Sequence, residues 1–407
     1  MRPWHPFETL PRLLHPEVES PLHRPCVVRV SRQGPHWRCL LDTWRIGRLP
    51  ATVAAGTVAL LTLSPAPHLT AAPPTSFYQE TDLVSDQPGV ALIQDTDVVN
   101  PWGVTLSPTA GGFWVANNGT GIATIYTGDV AGSVFMKAPL EVTIPGGSPT
   151  GTVFNPTTDF VVASGSSSGA AVFLFASQAG VISGWNPGVP PPAPSTMAQT
   201  GATEEAVYTG LAIGQASGGN RLYAADFEHR RIDVFDASFH LLPSDESFID
   251  EDIQKNYSPF NIQNLGGRLY VTYAQQSRQE PDEESGHGTG FVDVFDTDGH
   301  LLQRLIRNSH LVAPWALALA PADFGPFSNA LLVGNFGNGH ILAFDPENGD
   351  FLGQLEGEDG KPIVIDGLWG FAFGNGVSAG DANALYFAAG PDDETHGLFG
   401  SLRFVNN

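Results

Sequence analysis

Four oxygen-bearing side chains would meet on one face of a repeating structure: Asn100, Asn261 and Asp366 in the segments that open repeat units, and Asp226 at the end of a second strand. Carboxylate and amide oxygens of this kind are hard ligands suited to Ca²⁺ or a similar divalent cation. Held together at one mouth, they would support a metal-dependent hydrolase. Trp102, Trp315, Asn335 and Trp369 accompany them and complete a set that could instead line a ligand site. Further polar residues recur nearby, among them Asn117, Asn118, His229, Asn338, Asp392, Asp393 and His396. The plainer reading is that Asn and Asp tie down tight turns through their own backbone, and that the tryptophans fill a core.

Other chemistry is poorly supported. Gly165-Ser-Ser-Ser-Gly169 fits the G-x-S-x-G pattern, but it lies in a Ser/Gly run between two strand-like segments, without the strand–elbow–helix setting that exposes a nucleophile. Asp345-Pro-Glu-Asn-Gly-Asp350 aligns with the turn Asp296-Thr-Asp-Gly299 and reads as a hairpin turn. The seven histidines beyond residue 76 form neither H-x-H nor H-E-x-x-H, and His240 and His300 fall at equivalent repeat positions. A zinc site is therefore not indicated. Both cysteines, Cys26 and Cys39, lie near the N-terminus, so the body offers no thiolate.

Charge narrows the partners. The formal net charge is −23, and the first 76 residues hold eight arginines and only four acids. The remainder is strongly acidic, which disfavours a nucleic-acid partner. Hydrophobic residues make up 42% of the chain, too many for a disordered polymer. The 46 glycines and 33 prolines suit short strands joined by tight turns.

The N-terminal segment reads as an address. Arg45-Ile-Gly-Arg48 precedes an uncharged run from Pro50 to Leu63, and small residues suitable for cleavage follow at Ser64-Pro-Ala66 and Thr70-Ala-Ala72. That order predicts a secretory signal peptide and an exported, periplasmic or extracellular protein. The run is shorter than the roughly 20 residues of a membrane span, so no span is expected after cleavage. Residues 1–72 are assigned to this leader. Residues 1–44, without periodicity, are either its long beginning or a stretch upstream of the true start. Residues 73–407 form the single folded domain.

What positions the candidate residues is a repeat. Gly219-Asn-Arg-Leu-Tyr-Ala-Ala-Asp226 with Arg231-Ile-Asp-Val-Phe-Asp236 aligns with Gly267-Arg-Leu-Tyr-Val-Thr272 and Gly290-Phe-Val-Asp-Val-Phe-Asp296. Both align with Asn329–Asn335 and Gly339–Asp345. Apolar openers precede the units, as in Asn100-Pro-Trp-Gly-Val104, Ser258-Pro-Phe-Asn-Ile262, Ala313-Pro-Trp-Ala-Leu317 and Asp366-Gly-Leu-Trp-Gly370. Counting a unit over 150–185, with strands at Asp159–Ala163 and Ala171–Phe175, gives six. They open near 100, 150, 208, 258, 313 and 366.

Repeated four-stranded units predict an all-β, six-bladed β-propeller. The last unit is one strand short, and Phe77–Val84 is one strand extra. Pairing the two closes the ring and removes the edge. The acidic segment Gln275–Gly290 then interrupts unit four between its second and third strands, as a loop over the face that carries the candidate residues.

Leu222-Tyr-Ala-Ala-Asp226 with His229–Asp236, and Arg268-Leu-Tyr-Val271, resemble NHL-type propeller repeats. The whole of 77–405 is similar to exported bacterial propellers, some of which end in a Pro-Glu-Pro sorting tail that Phe404-Val-Asn-Asn407 does not match. The resemblance implies fold and export, not a mechanism. Two functions remain open. One is an exported binding or scaffold propeller presenting a face to a small molecule or protein. The other is a divalent-metal hydrolase that looks like the propeller lactonases, with Asn100, Asp226, Asn261 and Asp366 around the ion.

Overall fold

The structure, a computed structural model, describes residues 76–406 apart from 190–196, 200–204, 244–246, 277–289 and 308–309. The leader and nearly all of the 275–290 loop lie outside the described residues.

The six blades are present, each opening at the centre with its first strand. Blade 1 comprises Pro101–Thr105, Phe113–Asn117, Ile122–Thr127 and Met136–Thr143, paired antiparallel in that order. Blade 2 uses Pro149–Phe154, Phe173–Ser177, Ile182–Trp185 and Met197–Gln199. Blade 3 has Tyr208–Ala216, Gly219–Asp226 and Arg231–Phe235. Blade 4 has Tyr257–Leu265, Arg268–Gln275, Gly290–Phe295 and Leu301–Ile306. Blade 5 has Pro314–Leu319, Leu331–Asn335, Ile341–Phe344 and Phe351–Gln354.

Blade 6 closes the ring as expected. Leu368–Phe373, Ala384–Ala389 and Leu398–Asn406 receive Ser76–Ser85 as their fourth strand, with Phe77 opposite Val405 and Tyr78 opposite Phe404, and the short strand Ile93–Gln94 pairs parallel beyond it. The Tyr78 hydroxyl donates to the Phe324 carbonyl at 2.8 Å, tying the closing strand to blade 5 as well.

Burial explains the strand sequences. Second strands such as Leu331–Asn335 and Ala384–Ala389 are buried along their whole length. Both of their faces meet neighbouring blades, so a continuous apolar run is favoured over alternation. Outer strands such as Phe351–Gln354 are largely solvent-facing and correspondingly mixed. Polar links join blades 1 and 6: the Tyr386 hydroxyl donates to Asp129 at 2.6 Å, and Arg403 pairs with the same carboxylate.

Two details differ from the sequence reading. Asp159–Ala163 is not a blade strand. Most of it belongs to a separate hairpin, Val161–Ser164 with Ser167–Ala170, inserted between the first two strands of blade 2. Gly165, at φ 58°, makes that turn, so the G-x-S-x-G segment is a hairpin tip. Among the described residues, the fourth strand of blade 3 is one bridge between Phe235 and Leu241. Pro243 follows at once and has no N–H to extend a ladder. Among the described residues, no helix is long and apolar enough to cross a membrane.

Candidate functional site

The centre of the ring is built by a defect repeated in every first strand. Pairing slips by one residue between Pro101 and Val104, Tyr208 and Gly210, Pro259 and Asn261, Pro314 and Ala316, and Leu368 and Phe371. Blade 2 slips between Pro149 and Thr152. A bulge leaves one residue unpaired and bends its strand. The residues at the six bulges are Trp102, Thr150, Thr209, Phe260, Trp315 and Trp369. In four blades a left-handed residue stands immediately before the strand: Asn100 (φ 46°), Ser148 (φ 43°), Ala313 (φ 46°) and Gly367 (φ 64°).

Next to the bulges the first strands touch backbone to backbone. A Cβ on Gly103 would run into the Thr150 carbonyl, one on Gly151 into the Leu211 amide, and one on Gly370 into the Trp102 carbonyl. Glycine is what that approach requires. Asn261 bridges blades 4 and 5 instead, its Nδ2 donating to the Trp315 carbonyl at 2.8 Å.

The aromatic members of the ring plug the channel. Trp102 and Trp369 stack with centroids 3.5 Å apart, and Trp315 meets them edge-on at 6.2 and 5.9 Å. Phe336 stacks on Trp369 at 4.0 Å, and Phe260 packs edge-on at 5.8 Å. Two indole N–H groups are anchored. Trp315 donates to the Thr209 carbonyl and Trp369 to Asn100 Oδ1, both at 2.9 Å.

Trp315 also bounds a cavity of about 210 Å³ that occupies the rest of the channel, where the first strands run on past their bulges. All six blades contribute to its wall, through residues such as Val104, Thr152, Ala212, Gln263, Trp315 and Phe371. Among the described residues, no Asp, Glu, His, Lys or Arg side chain lines it. Asn264 and Asn261 spend their amides on the fold: Asn264 Nδ2 donates to the Ile213 carbonyl, and Asn261 Oδ1 accepts from the Ile262 amide, both at 2.8 Å. Thr105, Thr152 and Gln263 are different. None of their side chains has a hydrogen-bond partner among the described residues, and Thr152 is only 7% exposed.

The eight residues singled out from sequence divide. Trp102, Trp315, Trp369, Asn100 and Asn261 come together in the plug and its anchors. Asp226, Asn335 and Asp366 serve elsewhere. Asp226 Oδ1 accepts from the Val207 amide at 3.1 Å, and its Oδ2 meets His229 Nδ1 at 2.6 Å. Burial pushes the Asp226 carboxyl upward, against the pull of His229. Asn335 donates to the His310 carbonyl at 2.9 Å, and Asp366 accepts from the Asp392 amide at 2.9 Å. The four oxygens proposed for an ion thus each face a protein donor. Among the described residues, no group of three or more His, Cys, Asp or Glu side chains is placed to hold a metal. His396 forms a second imidazole–carboxylate pair, with Asp86 at 2.8 Å. His240 and His300 make matching contacts with Asp236 and Asp296 at 3.1 and 2.9 Å, each closing its turn.

Sequence reasoning passed over Thr105, Thr152 and Gln263. The available signal was their place two or three residues beyond the bulge positions Trp102, Thr150 and Phe260.

These features define a six-bladed propeller with an aromatic plug and an uncharged channel cavity. No family model matches the chain. It is 34% identical over 327 residues to uncharacterized protein R648 of Acanthamoeba polyphaga mimivirus, covering 79% of this chain and 78% of that one. Uncharacterized protein L690 of the same virus is 34% identical over 334 residues, covering 79% and 84%. The chain belongs to the family of these two proteins. Two solved structures are similar at a coarser level. A Bacteroides thetaiotaomicron protein of unknown function gives TM-score 0.44 at 9% identity, covering 80% of this chain and 72% of that one. Kuenenia stuttgartiensis hydrazine synthase gives 0.41 at 13%, covering 79% and 99%. The fold assignment rests on the strand pairing itself.

Proposed function

We propose that this protein is a binding propeller that takes a small uncharged molecule into its central channel and does no chemistry on it. The carrying observation is the cavity wall: six blades converge on it, and among the described residues none brings an ionisable side chain. General acid–base catalysis needs a titratable group within hydrogen-bond reach of the reacting atoms, and this wall supplies none. A concave site with a small number of placed polar groups is a usual form of a small-molecule pocket. The direct test is native mass spectrometry of the full chain after exposure to a small-molecule extract. Wild type should retain a bound mass, and Ile213→Trp, which fills the cavity from blade 3, should not. Equal retention by both would place the ligand elsewhere and end this reading.

Export belongs to the same proposal. Its support is the Arg45–Leu63 segment, a basic flank followed by an uncharged apolar run. N-terminal sequencing of protein recovered outside the cytoplasm should begin near residue 67 or 73. Retention in the cytoplasm with the leader intact would refute it.

A further inference from the structure

We infer that the channel ligand is a neutral polyhydroxylated molecule of about monosaccharide size, recognised by Thr105, Thr152 and Gln263. This deepens the binding reading and rests on it. The cavity of about 210 Å³ is many times what one water needs, enough for a small sugar or polyol. An ionised ligand there would lose its hydration and find no counter-charge in the wall, a cost proteins meet only by pairing the charge.

The three polar side chains come from blades 1, 2 and 4, so they reach the cavity from separate directions. Each can donate and accept a hydrogen bond: the threonines through one hydroxyl, the glutamine through both ends of its amide. A ligand hydroxyl has the same dual character and matches any of them. Thr152 is the most deeply placed: its hydroxyl has no partner within the described protein and no open surface in this rotamer, so a ligand meets it only after the side chain turns about χ1. Leaving such a group unpaired is costly, and a ligand oxygen relieves that cost. Between these groups the wall is apolar, with Val104, Val153, Leu211 and Phe154. That suits the C–H faces of a sugar or cyclitol.

The test is titration calorimetry on the full chain with xylose, glucose, myo-inositol and glycerol, each set beside the charged probes glucose 6-phosphate, gluconate and glucosamine. At least one neutral probe should bind while the charged probes do not. Thr152→Val and Gln263→Met keep volume and remove hydrogen bonds. Each should weaken binding roughly tenfold, the equivalent of one lost bond. Should Thr152→Val fail to fold, Gln263→Met, at a half-buried position, carries the test. Binding confined to charged probes would overturn the ligand class while leaving a channel site standing. Unchanged affinity in Ile213→Trp would overturn the site and the class together. No binding by any neutral probe would overturn the class, and the extract experiment above separately decides the site.

Discussion

Replacing Trp369 with alanine attacks the plug at its centre. The indole is fully buried, stacked between Trp102 and Phe336, edge-on to Trp315 and Phe260, and bonded to Asn100. Truncating a buried Trp to Ala costs about 3–5 kcal/mol from lost transfer energy and the cavity left behind. Removing the indole N–H also takes a donor from Asn100 Oδ1, worth roughly another 1 kcal/mol. The total is about 5 kcal/mol. At about 2.1 cal/mol/K per residue, the unfolding entropy of a domain of roughly 330 residues is near 0.7 kcal/mol/K. The midpoint should therefore fall by about 7 °C. Differential scanning calorimetry measures this directly, and agreement of calorimetric and van 't Hoff enthalpies checks that one transition is being compared. Trp369→Phe keeps much of the stack and should recover more than half of the loss. A midpoint within about 2 °C of wild type for Trp369→Ala would refute the plug as a stabilising core.

Three further outcomes follow. Burial raises the Asp293 carboxyl to about 7, against the pull of Arg307. With the folded value above the unfolded one, the native state holds the extra proton between about pH 4 and 7. Its contribution is thus present at low pH and fades as pH rises, by at most about 1.36 kcal/mol per pH unit; melts of Asp293→Asn should show a smaller loss of stability from pH 4.5 to 7.5 than wild type, and parallel curves would contradict it. A chain lacking residues 1–86 loses the strand that pairs with Leu398–Asn406 and exposes that edge, so size-exclusion chromatography should show a larger aggregated fraction than for the full chain. A chelator should shift the thermal midpoint of the full chain by less than about 1 °C, since Asn100, Asn261, Asp226 and Asp366 face protein donors; a larger drop accompanied by a stoichiometric ion in elemental analysis would favour the metal reading.

Blade number and ring closure were legible because they depend on things a sequence displays. Openers such as Asn100-Pro-Trp-Gly103 and Ala313-Pro-Trp-Ala316 mark each innermost strand, and a six-unit count one strand short at its end needed Ser76–Ser85. The candidate site was half legible. The aromatic and amide residues of those openers do meet at the centre, but as a plug and its anchors. What they do there turns on two backbone features with no residue-type signature of their own. Only Asn100 and Gly367 are natural occupants of the left-handed conformation that Ser148 and Ala313 also adopt. The bulge adds one residue to a strand whose side chains otherwise alternate, so every position beyond it changes face. A period-two reading carried through Trp102 or Phe260 therefore misplaces the residues that follow, Thr105 and Gln263 among them.

The same bulges make the plug and the cavity a single construction. They bring Trp102, Trp315 and Trp369 together at one level of the channel, where stacking closes it. The glycines beside them let the strands touch there, and past that contact the strands leave the uncharged space open. On the proposed binding reading, stability and binding are thereby drawn from adjacent residues of the same strands. Substitutions in the plug should alter ligand affinity through Trp315, which belongs to both, and substitutions at Thr105 or Gln263 should alter affinity while leaving the melt nearly unchanged. A melt that moved in step with affinity at Gln263 would show that the cavity wall, and not the plug alone, holds the ring together.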